Sequence, residues 1–208
     1  MRIAIRIDIR IDIRIGGFLR FLADEMCGDI CRWLRMLGYD TTYAKDYEDK
    51  YESPVSDDRL IDECFLQYRI LITRDQEMYK KIDEKFEKWM AENKEEYAKY
   101  EINDKIITPQ ILLRTRKLVK SLKQIYAKFH IRAKYNANIA RCTNCNAPLK
   151  LIKDKTTVKQ KVPSKVYKYQ DQFWQCTNQD CGKLYWQGTH FEQILDRIEA
   201  IKEPLSSE

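Results

Sequence analysis

Apolar residues along the chain fall into short runs that alternate with segments of helical periodicity. Short runs of three to five residues, rich in apolar or β-branched side chains, predict strands. Segments with apolar residues three or four positions apart predict helices, and Ser56 before residue 57 and Gly38 after residue 37 are typical helix boundaries. The predicted strands are residues 18–22, 39–43, 69–73 and 129–131, and the predicted helices are residues 27–37, 57–68, 75–100, 109–127 and 191–201.

Strands that alternate with helices favour parallel pairing, because each helix carries the chain back to the start of the next strand. The pattern therefore predicts an α/β fold with a mainly parallel sheet. The first seventeen residues do not follow it: isoleucine occupies every odd position from Ile3 to Ile15, before Gly16 and Gly17. So regular a repeat is typical of a leader or a low-complexity extension, and if native it favours pairing at a sheet edge.

Two close pairs of cysteines occur in the C-terminal half, Cys142 with Cys145 and Cys176 with Cys181. Thiolates at these spacings can converge on one tetrahedral ion, and two such pairs are typical of a structural zinc site. The spacing predicts a small β zinc ribbon over residues 139–190. Iron in place of zinc, two disulfides, or reduced surface thiols are the alternatives. Cys27, Cys31 and Cys64 are expected to be buried thiols instead.

The charge is divided unevenly along a chain of net charge +6. Residues 107–170 contain sixteen Lys and Arg and one acid, whereas residues 18–106 contain fifteen Lys and Arg and twenty-two acids. A basic segment beside an acidic one favours a polyanion that one half binds and the other half acts on. The alternative is a solvated basic surface without a partner.

The composition also limits the class of protein. The sequence has 208 residues, of which 44% are apolar, enough for one ordinary core and a small metal-stabilised module. Apolar runs long enough for a membrane helix and a signal peptide are lacking, and the odd number of cysteines suits a reducing compartment. We therefore expect a cytoplasmic, intracellular protein with no membrane partner.

Several acids follow strands or begin helices. Asp24 closes the first predicted strand, Asp75 follows residues 69–73, and Asp57 and Asp58 begin a helix. In an open parallel sheet such positions gather at the carboxyl ends of the strands, where carboxylates suit Mg²⁺ or Mn²⁺. Acids that merely cap helices are the alternative interpretation.

The ordered set of segments FLADEMCGDICRWLRMLGYDT, DDRLIDEC, RILITRD, RCTNCNAPL and FWQC…CGKLYWQGTHF resembles the Mut-seven C-terminal RNase domain family, a branch of the PIN-like nucleases. The resemblance covers about residues 18–195. It implies a PIN-like three-layer domain over residues 18–138, the ribbon over 139–190, and a C-terminal helix and tail over 191–208. The charged insertion at about residues 83–104 and the leader depart from the compact form of the family.

The resemblance also implies a metal-dependent ribonuclease. Asp24, Asp58 and Asp75 would be the catalytic ligands of Mg²⁺ or Mn²⁺, with Asp57 as an alternative or additional acid. An ion at these carboxylates would activate a water molecule and stabilise the leaving oxygen of RNA. A structured RNA such as ribosomal RNA is the substrate class that the resemblance suggests, and RNA would be held by the basic segment and the ribbon.

Three arginines are candidates for phosphate binding. Arg74 precedes Asp75, and Arg32 and Arg35 share one helix face. Arg74 can instead pair with a neighbouring carboxylate, and the other two can pair with Asp29 or Asp40.

Other functions fit part of the pattern. A non-catalytic RNA- or ribosome-binding protein with a vestigial acidic site is the main alternative. A module that docks a protein partner through its ribbon, or a toxin-like nuclease with an inhibitor, are the others. The ribbon aromatics Phe173, Trp174, Tyr185 and Trp186 are expected to divide between its core and stacking on bases, and His190 to be structural.

Overall fold

A computed structural model describes residues 19–93, 101–102, 105–106 and 108–203, so the predicted leader lies outside the described residues. The strands are β1 (Arg20–Ala23), β2 (Asp40–Tyr43), β3 (Ile70–Thr73), β4 (Glu101–Ile102), β5 (Lys105–Ile106), β6 (Gln110–Leu112), β7 (Leu149–Leu151), β8 (Trp174–Cys176) and β9 (Leu184–Tyr185). The α-helices are α1 (Gly28–Met36), α2 (Asp57–Leu66), α3 (Gln76–Glu92), α4 (Leu118–Phe129), α5 (Ser164–Tyr169) and α6 (Phe191–Lys202).

Four strands form one parallel sheet in the order β2-β1-β3-β6, which confirms the predicted α/β fold with a mainly parallel sheet. The chain runs from β1 to the edge strand β2 and then returns to β3 on the other side of β1. The strand order therefore reverses between β1 and β3. In open α/β sheets, ligands bind beyond the carboxyl ends of the strands at such a switch point.

Alternate residues of the central strands pack on opposite faces of the sheet, as the two-residue period of a strand requires. Phe21 and Ile72 face a core that includes α1 and α4, whereas Leu22 and Leu71 face the core made with α2 and α3. The sheet thus lies between two helical layers. Burial on both faces explains why the two central strands, β1 and β3, are mostly apolar.

The cysteine-containing part forms a second, antiparallel sheet in the order β7-β8-β9. Its own core is small and centres on Val158, Val162 and Phe173. The last helix leaves this module, because Ile198 and Ile201 of α6 are buried in the α/β core beside α4. The C-terminal helix therefore belongs by packing to the parallel-sheet part of the molecule.

Two predicted elements are wrong. Residues 109–127 do not form one helix: residues 110–112 pair with β3 as an edge strand, and the helix begins at Leu118. Leu71 N donates to the carbonyl of Pro109 at 2.8 Å, so the proline lies at a strand start, where its missing N–H matters least. Residues 129–131 are not a strand, because Phe129 ends α4 and His130 has the left-handed conformation of a helix cap.

The helix predicted to reach about residue 100 is shorter, because it ends at Glu92 and the next residue, Asn93, has non-helical backbone angles (φ −126°, ψ 54°). Residues 94–100 lie outside the described residues. Among the described helices, none combines the length and the apolar character needed to cross a membrane.

Candidate functional site

The carboxyl ends of β1 and β3 place two of the predicted acids side by side. Asp24 directly follows β1, and its backbone N–H donates to the carbonyl of Ile72 in β3 at 3.0 Å. Asp75 follows β3 by two residues and begins α3. Asp57 begins α2, which connects β2 to β3. We call Asp24, Asp57 and Asp75 the acidic rim.

Asp24 is the buried member of the acidic rim, with 5% of its surface exposed. Its Oδ2 accepts a hydrogen bond from the Thr73 hydroxyl and another from the Arg74 backbone N–H at 3.2 Å. Its Oδ1 is buried and has no hydrogen-bond partner among the described residues. A buried carboxylate oxygen without a partner is destabilising, and such an atom in a native site commonly marks an ion or water position.

Thr73 connects Asp24 to Asp75. Its hydroxyl donates to Asp24 and accepts from the Asp75 backbone N–H at 2.8 Å. Asp75 caps α3, since its Oδ1 accepts from the backbone N–H groups of Glu77 at 2.7 Å and Met78 at 2.9 Å. The orientation of both carboxylates is therefore fixed by the chain itself.

The two neighbouring acids of α2 point to different surroundings. Asp58 is 53% exposed, and its oxygens pair with Lys81 at 3.0 Å and Lys85 at 2.8 Å. Partial burial raises the pKa of Asp57, Lys81 opposes that effect, and the carboxylates of Asp75, Asp58 and Asp24 raise it further. Asp57 thus lies in the electrostatic field of the other rim acids, whereas Asp58 lies beside the lysines of α3.

The four predicted zinc ligands come together in the ribbon. The Sγ atoms of Cys142, Cys145, Cys176 and Cys181 all lie within 4.8 Å of one another. The Sγ atoms of Cys142 and Cys181 are 3.7 Å apart. Four sulfurs about 2.3 Å from a tetrahedral zinc would be about 3.8 Å from one another, so this distance suits a shared ion. Cys145 and Cys176 are 3.3 Å apart. The cluster could therefore bind zinc.

Hydrogen bonds around Cys142 favour its thiolate form. Burial alone would raise its pKa, but the Tyr185 hydroxyl, 3.1 Å from Sγ, and the backbone N–H groups of residues 144 and 145 lower it to about 6. Among the described residues, the four cysteines are the one set of three or more Cys, His, Asp or Glu residues whose ligand atoms all lie close together. The rim carboxylates are thus more widely spaced than the sulfurs.

A cavity of about 770 Å³ lies between the α/β part and the ribbon. We call it the basic cleft, because its exposed cations come from three separate segments: Arg32 from α1, Arg116 from the segment before α4, and Lys183 from the segment before β9. None of these three forms an ion pair within the described part of the chain. Glu25 also lines the basic cleft and directly follows Asp24, so this cavity adjoins the acidic rim.

The predicted phosphate-binding arginines differ in their surroundings. Arg74 is largely buried, forms an ion pair with Asp29 at 3.2 Å, and donates to the carbonyl of Met26. Arg35 is buried and donates to the carbonyls of Thr41, Thr143 and Asn144 and to the carboxylate of Asp46. Arg32 is exposed in the basic cleft. Of these three side chains, Arg32 is therefore the one that a phosphate could reach in the described structure.

Hydrogen bonds of Arg35 and Asp40 connect the α/β part to the first cysteine turn, and we call these contacts the polar joint. The Asn146 side chain in this joint donates to Asp40 at 2.7 Å. Burial opposes ionisation of Asp40, but Arg69 and Asn146 outweigh it and lower the pKa to about 2. Gly38 passes close to Ile139 with a φ of +97°, where a side chain would clash and strain the backbone.

We expect Arg35→Met to destabilise the protein by about 3 kcal/mol, because it removes the cationic partner of Asp46 and the donor to two ribbon carbonyls. The value is taken at the low end of the usual range since Asp46 is one-third exposed. Urea denaturation would measure the change. Arg32→Met on the exposed side of the same helix is the control, and equal stability of the two variants would contradict a structural role for Arg35.

Sequence reasoning missed Thr73, Arg116 and Lys183. A threonine at the end of the apolar run ILIT, directly before Arg-Asp, is a signal that could have identified Thr73. Arg116 and Lys183 carry no local signal, because only the fold brings them to one cleft. Cys27, Cys31 and Cys64 are buried as expected, and burial raises the pKa of each thiol.

Comparison with known proteins gives one result. A family model described as "Mut7-C RNAse domain" matches residues 19–198, a range that includes the parallel sheet, the cysteine cluster and most of α6. No curated protein and no solved structure matches the chain.

Proposed function

The chain belongs to the Mut7-C RNAse domain family, and from this premise we propose that it is a PIN-like, metal-dependent ribonuclease that hydrolyses RNA phosphodiester bonds at the acidic rim. In this proposal residues 18–138, with the C-terminal helix packed on them, form the catalytic domain. Residues 139–190 form a structural zinc ribbon. The observation that carries the proposal is the buried, unpartnered Oδ1 of Asp24 at the switch point of the sheet.

The donor set suits a hard divalent cation. Asp24 would hold Mg²⁺ or Mn²⁺ together with Asp75 and an acid of α2, and we propose Asp57 for that role because Asp58 is paired with two lysines. Asp58 remains the alternative, since release from both Lys81 and Lys85 would free its oxygens. When bound, such an ion lowers the pKa of a water molecule and offsets negative charge on a phosphate.

The chain's own residues orient this site. Thr73 holds the Oδ2 side of Asp24, which leaves Oδ1 as the ligand atom. Arg74 contacts both places: its backbone N–H donates to Asp24, and its side chain, ion-paired with Asp29, lines the basic cleft. Arg74 therefore acts in this proposal as a positioning residue that holds Asp24 beside the basic cleft.

The basic cleft would hold the RNA backbone. Its lining contains three cations without ion pairs in the described structure and two acids, Glu25 and Asp29, of which Asp29 is paired with Arg74, so the free charge favours a row of phosphates. Structured RNA, with ribosomal RNA as the example that the resemblance suggests, is the proposed substrate class.

We expect Lys183→Ala and Arg116→Ala each to weaken RNA binding at low salt. Each should also reduce the slope of log affinity against log salt by about 0.7 to 0.9, because each substitution removes one phosphate contact. Fluorescence anisotropy with a labelled RNA in EDTA measures this without cleavage. Lys150→Ala is the control, since Lys150 is an exposed lysine of the same ribbon outside the basic cleft. An identical slope in all three variants would contradict the assignment.

Incubation of the purified protein with labelled single-stranded and structured RNA tests the activity itself. Cleavage in Mn²⁺ or Mg²⁺ that stops in EDTA is the expected result. Cleavage that is unaffected by EDTA would refute the metal-dependent mechanism.

One observation favours a second function, that of a non-catalytic RNA- or ribosome-binding protein. The described carboxylates do not form a close cluster of three, and Asp58 is neutralised by lysines. If RNA binds with the expected salt dependence but is never cleaved with either ion, this second function is correct.

A further inference from the structure

Two adjoining cavities lie on the ribbon side of the molecule, away from the residues that line the basic cleft. One, of about 450 Å³, lies between α5 and the start of α6, and the other is about 410 Å³. They share Tyr169 and Gln170 in their linings. We call them together the aromatic pocket.

Flat apolar surfaces are exposed in the aromatic pocket. Tyr169 is 71% exposed at the end of α5, and Trp186 is 36% exposed after β9. Phe191 and Ile194 of α6 line the same cavity. The other ribbon aromatics are used internally, since Phe173 is buried and Tyr185 contacts Cys142. Large aromatic side chains left open to solvent are available for stacking.

The second cavity contributes hydrogen-bonding groups. Trp174 is 5% exposed, and its indole Nε1–H has no acceptor among the described residues. Because indole is a donor only, an acceptor such as a carbonyl oxygen or a ring nitrogen would satisfy this group. The side chains of Gln172 and Gln187 line the same cavity and can both donate and accept. The pocket thus combines a stacking surface with groups suited to the edge of a planar polar ring.

The charge around the pocket favours an anionic ligand. Lys165 lines it, and the Lys168 Nζ lies 5.4 Å from the centre of the Tyr169 ring. Residues 155–170 contain five lysines and no acid. Asp171 is the acid that lines the second cavity, and its carboxylate lies 3.4 Å from Lys155. A ring that stacks on Tyr169 would therefore have cations beside it, as a nucleotide with its phosphate requires.

We propose that the aromatic pocket binds one unstacked nucleobase of an RNA whose backbone runs along the lysines of α5. This inference rests on the proposed function only in taking RNA as the ligand. It assigns the ribbon a second contact, separate from the basic cleft, that recognises the base and not the phosphate. The pocket would then favour RNA with a single-stranded segment over a continuous duplex, whose bases are stacked and paired.

The test compares two probes of equal length and charge, a fluorescein-labelled oligouridine and an oligomer of abasic nucleotides, both in EDTA. Tyr169→Ala should weaken binding of oligouridine by about 5- to 150-fold, the range of one base–aromatic stack, and leave binding of the abasic oligomer nearly unchanged. Tyr169→Phe should bind like the wild type, because it keeps the ring. Leu66→Ala, at an exposed apolar residue of α2, is the control for surface substitution.

An equal loss for both probes, or no loss for either, would overturn the proposal. Weaker binding of Tyr169→Phe would also overturn it, since the hydroxyl and not the stacking would then matter. A short peptide that competes with oligouridine only when it contains an aromatic residue, with no preference for bases over abasic sites, would assign the pocket to a protein partner. None of these results depends on cleavage, so a failure of the ribonuclease proposal is recognised separately by the EDTA-sensitive assay.

Discussion

Asp24→Asn is expected to lower single-turnover RNA cleavage by about 10²- to 10³-fold. The substitution removes a charged ligand from the acidic rim, and metal stabilisation of a reacting phosphate is worth several kcal/mol. The folded state should tolerate the change, because the amide oxygen can still accept from Thr73 and Arg74 and one of three mutually repelling charges disappears. We therefore expect a thermal unfolding midpoint that is unchanged or raised.

Asp49→Asn is the matched control for this substitution, since Asp49 is an exposed acid outside the rim. It should cleave like the wild type. Wild-type cleavage by Asp24→Asn, or a loss of activity that follows a lower unfolding midpoint, would contradict the assigned role of Asp24.

Zinc removal is expected to unfold the ribbon and leave the parallel sheet folded. Structural zinc contributes about 10–16 kcal/mol of binding free energy, and the hydrophobic cluster centred on Val158 and Phe173 is too small to replace it. Both sheet cores lie outside residues 140–190. Hydrogen exchange after chelation should therefore show lost protection at β7 to β9 and retained protection at β1 and β3.

The affinity for RNA should decrease when the ribbon unfolds, because Thr143, Asn144 and Lys183 of the ribbon line the basic cleft. Re-addition of zinc should restore both protection and binding. Simultaneous loss of protection in β1 and β3 would mean that the polar joint around Arg35 makes the two parts one cooperative unit.

The sequence predicted the central strands and the cysteine site well because each has a strong local pattern. Most residues of β1 and β3 are apolar, and the sequence spacing of the four cysteines is that of ligands to a single metal ion. The short run at residues 110–112 was misassigned since its partner strand is forty residues away, and Pro109 also suits a helix start. A run of three residues forms a strand here because it pairs with the edge of a sheet that is already formed, and the local sequence does not show that pairing.

Side-chain direction in the candidate site was harder to predict. Asp57 and Asp58 are adjacent on a helix, so they point about 100° apart, and the sequence alone does not say which faces the sheet. The structure places Asp58 beside Lys81 and Lys85 of another helix. Arg35 was similarly ambiguous, because its partners are carbonyls more than a hundred residues away in the ribbon.

Binding of Mn²⁺ to the zinc-loaded protein, followed by the electron paramagnetic resonance signal of free Mn²⁺, tests the central claim most directly. The wild type and Asp49→Asn should bind the ion at concentrations that also support RNA cleavage. Asp24→Asn should lose that binding while its ribbon keeps its zinc. Undiminished Mn²⁺ binding by Asp24→Asn, or RNA cleavage by a wild type that binds no Mn²⁺, would contradict a divalent ion held at Asp24.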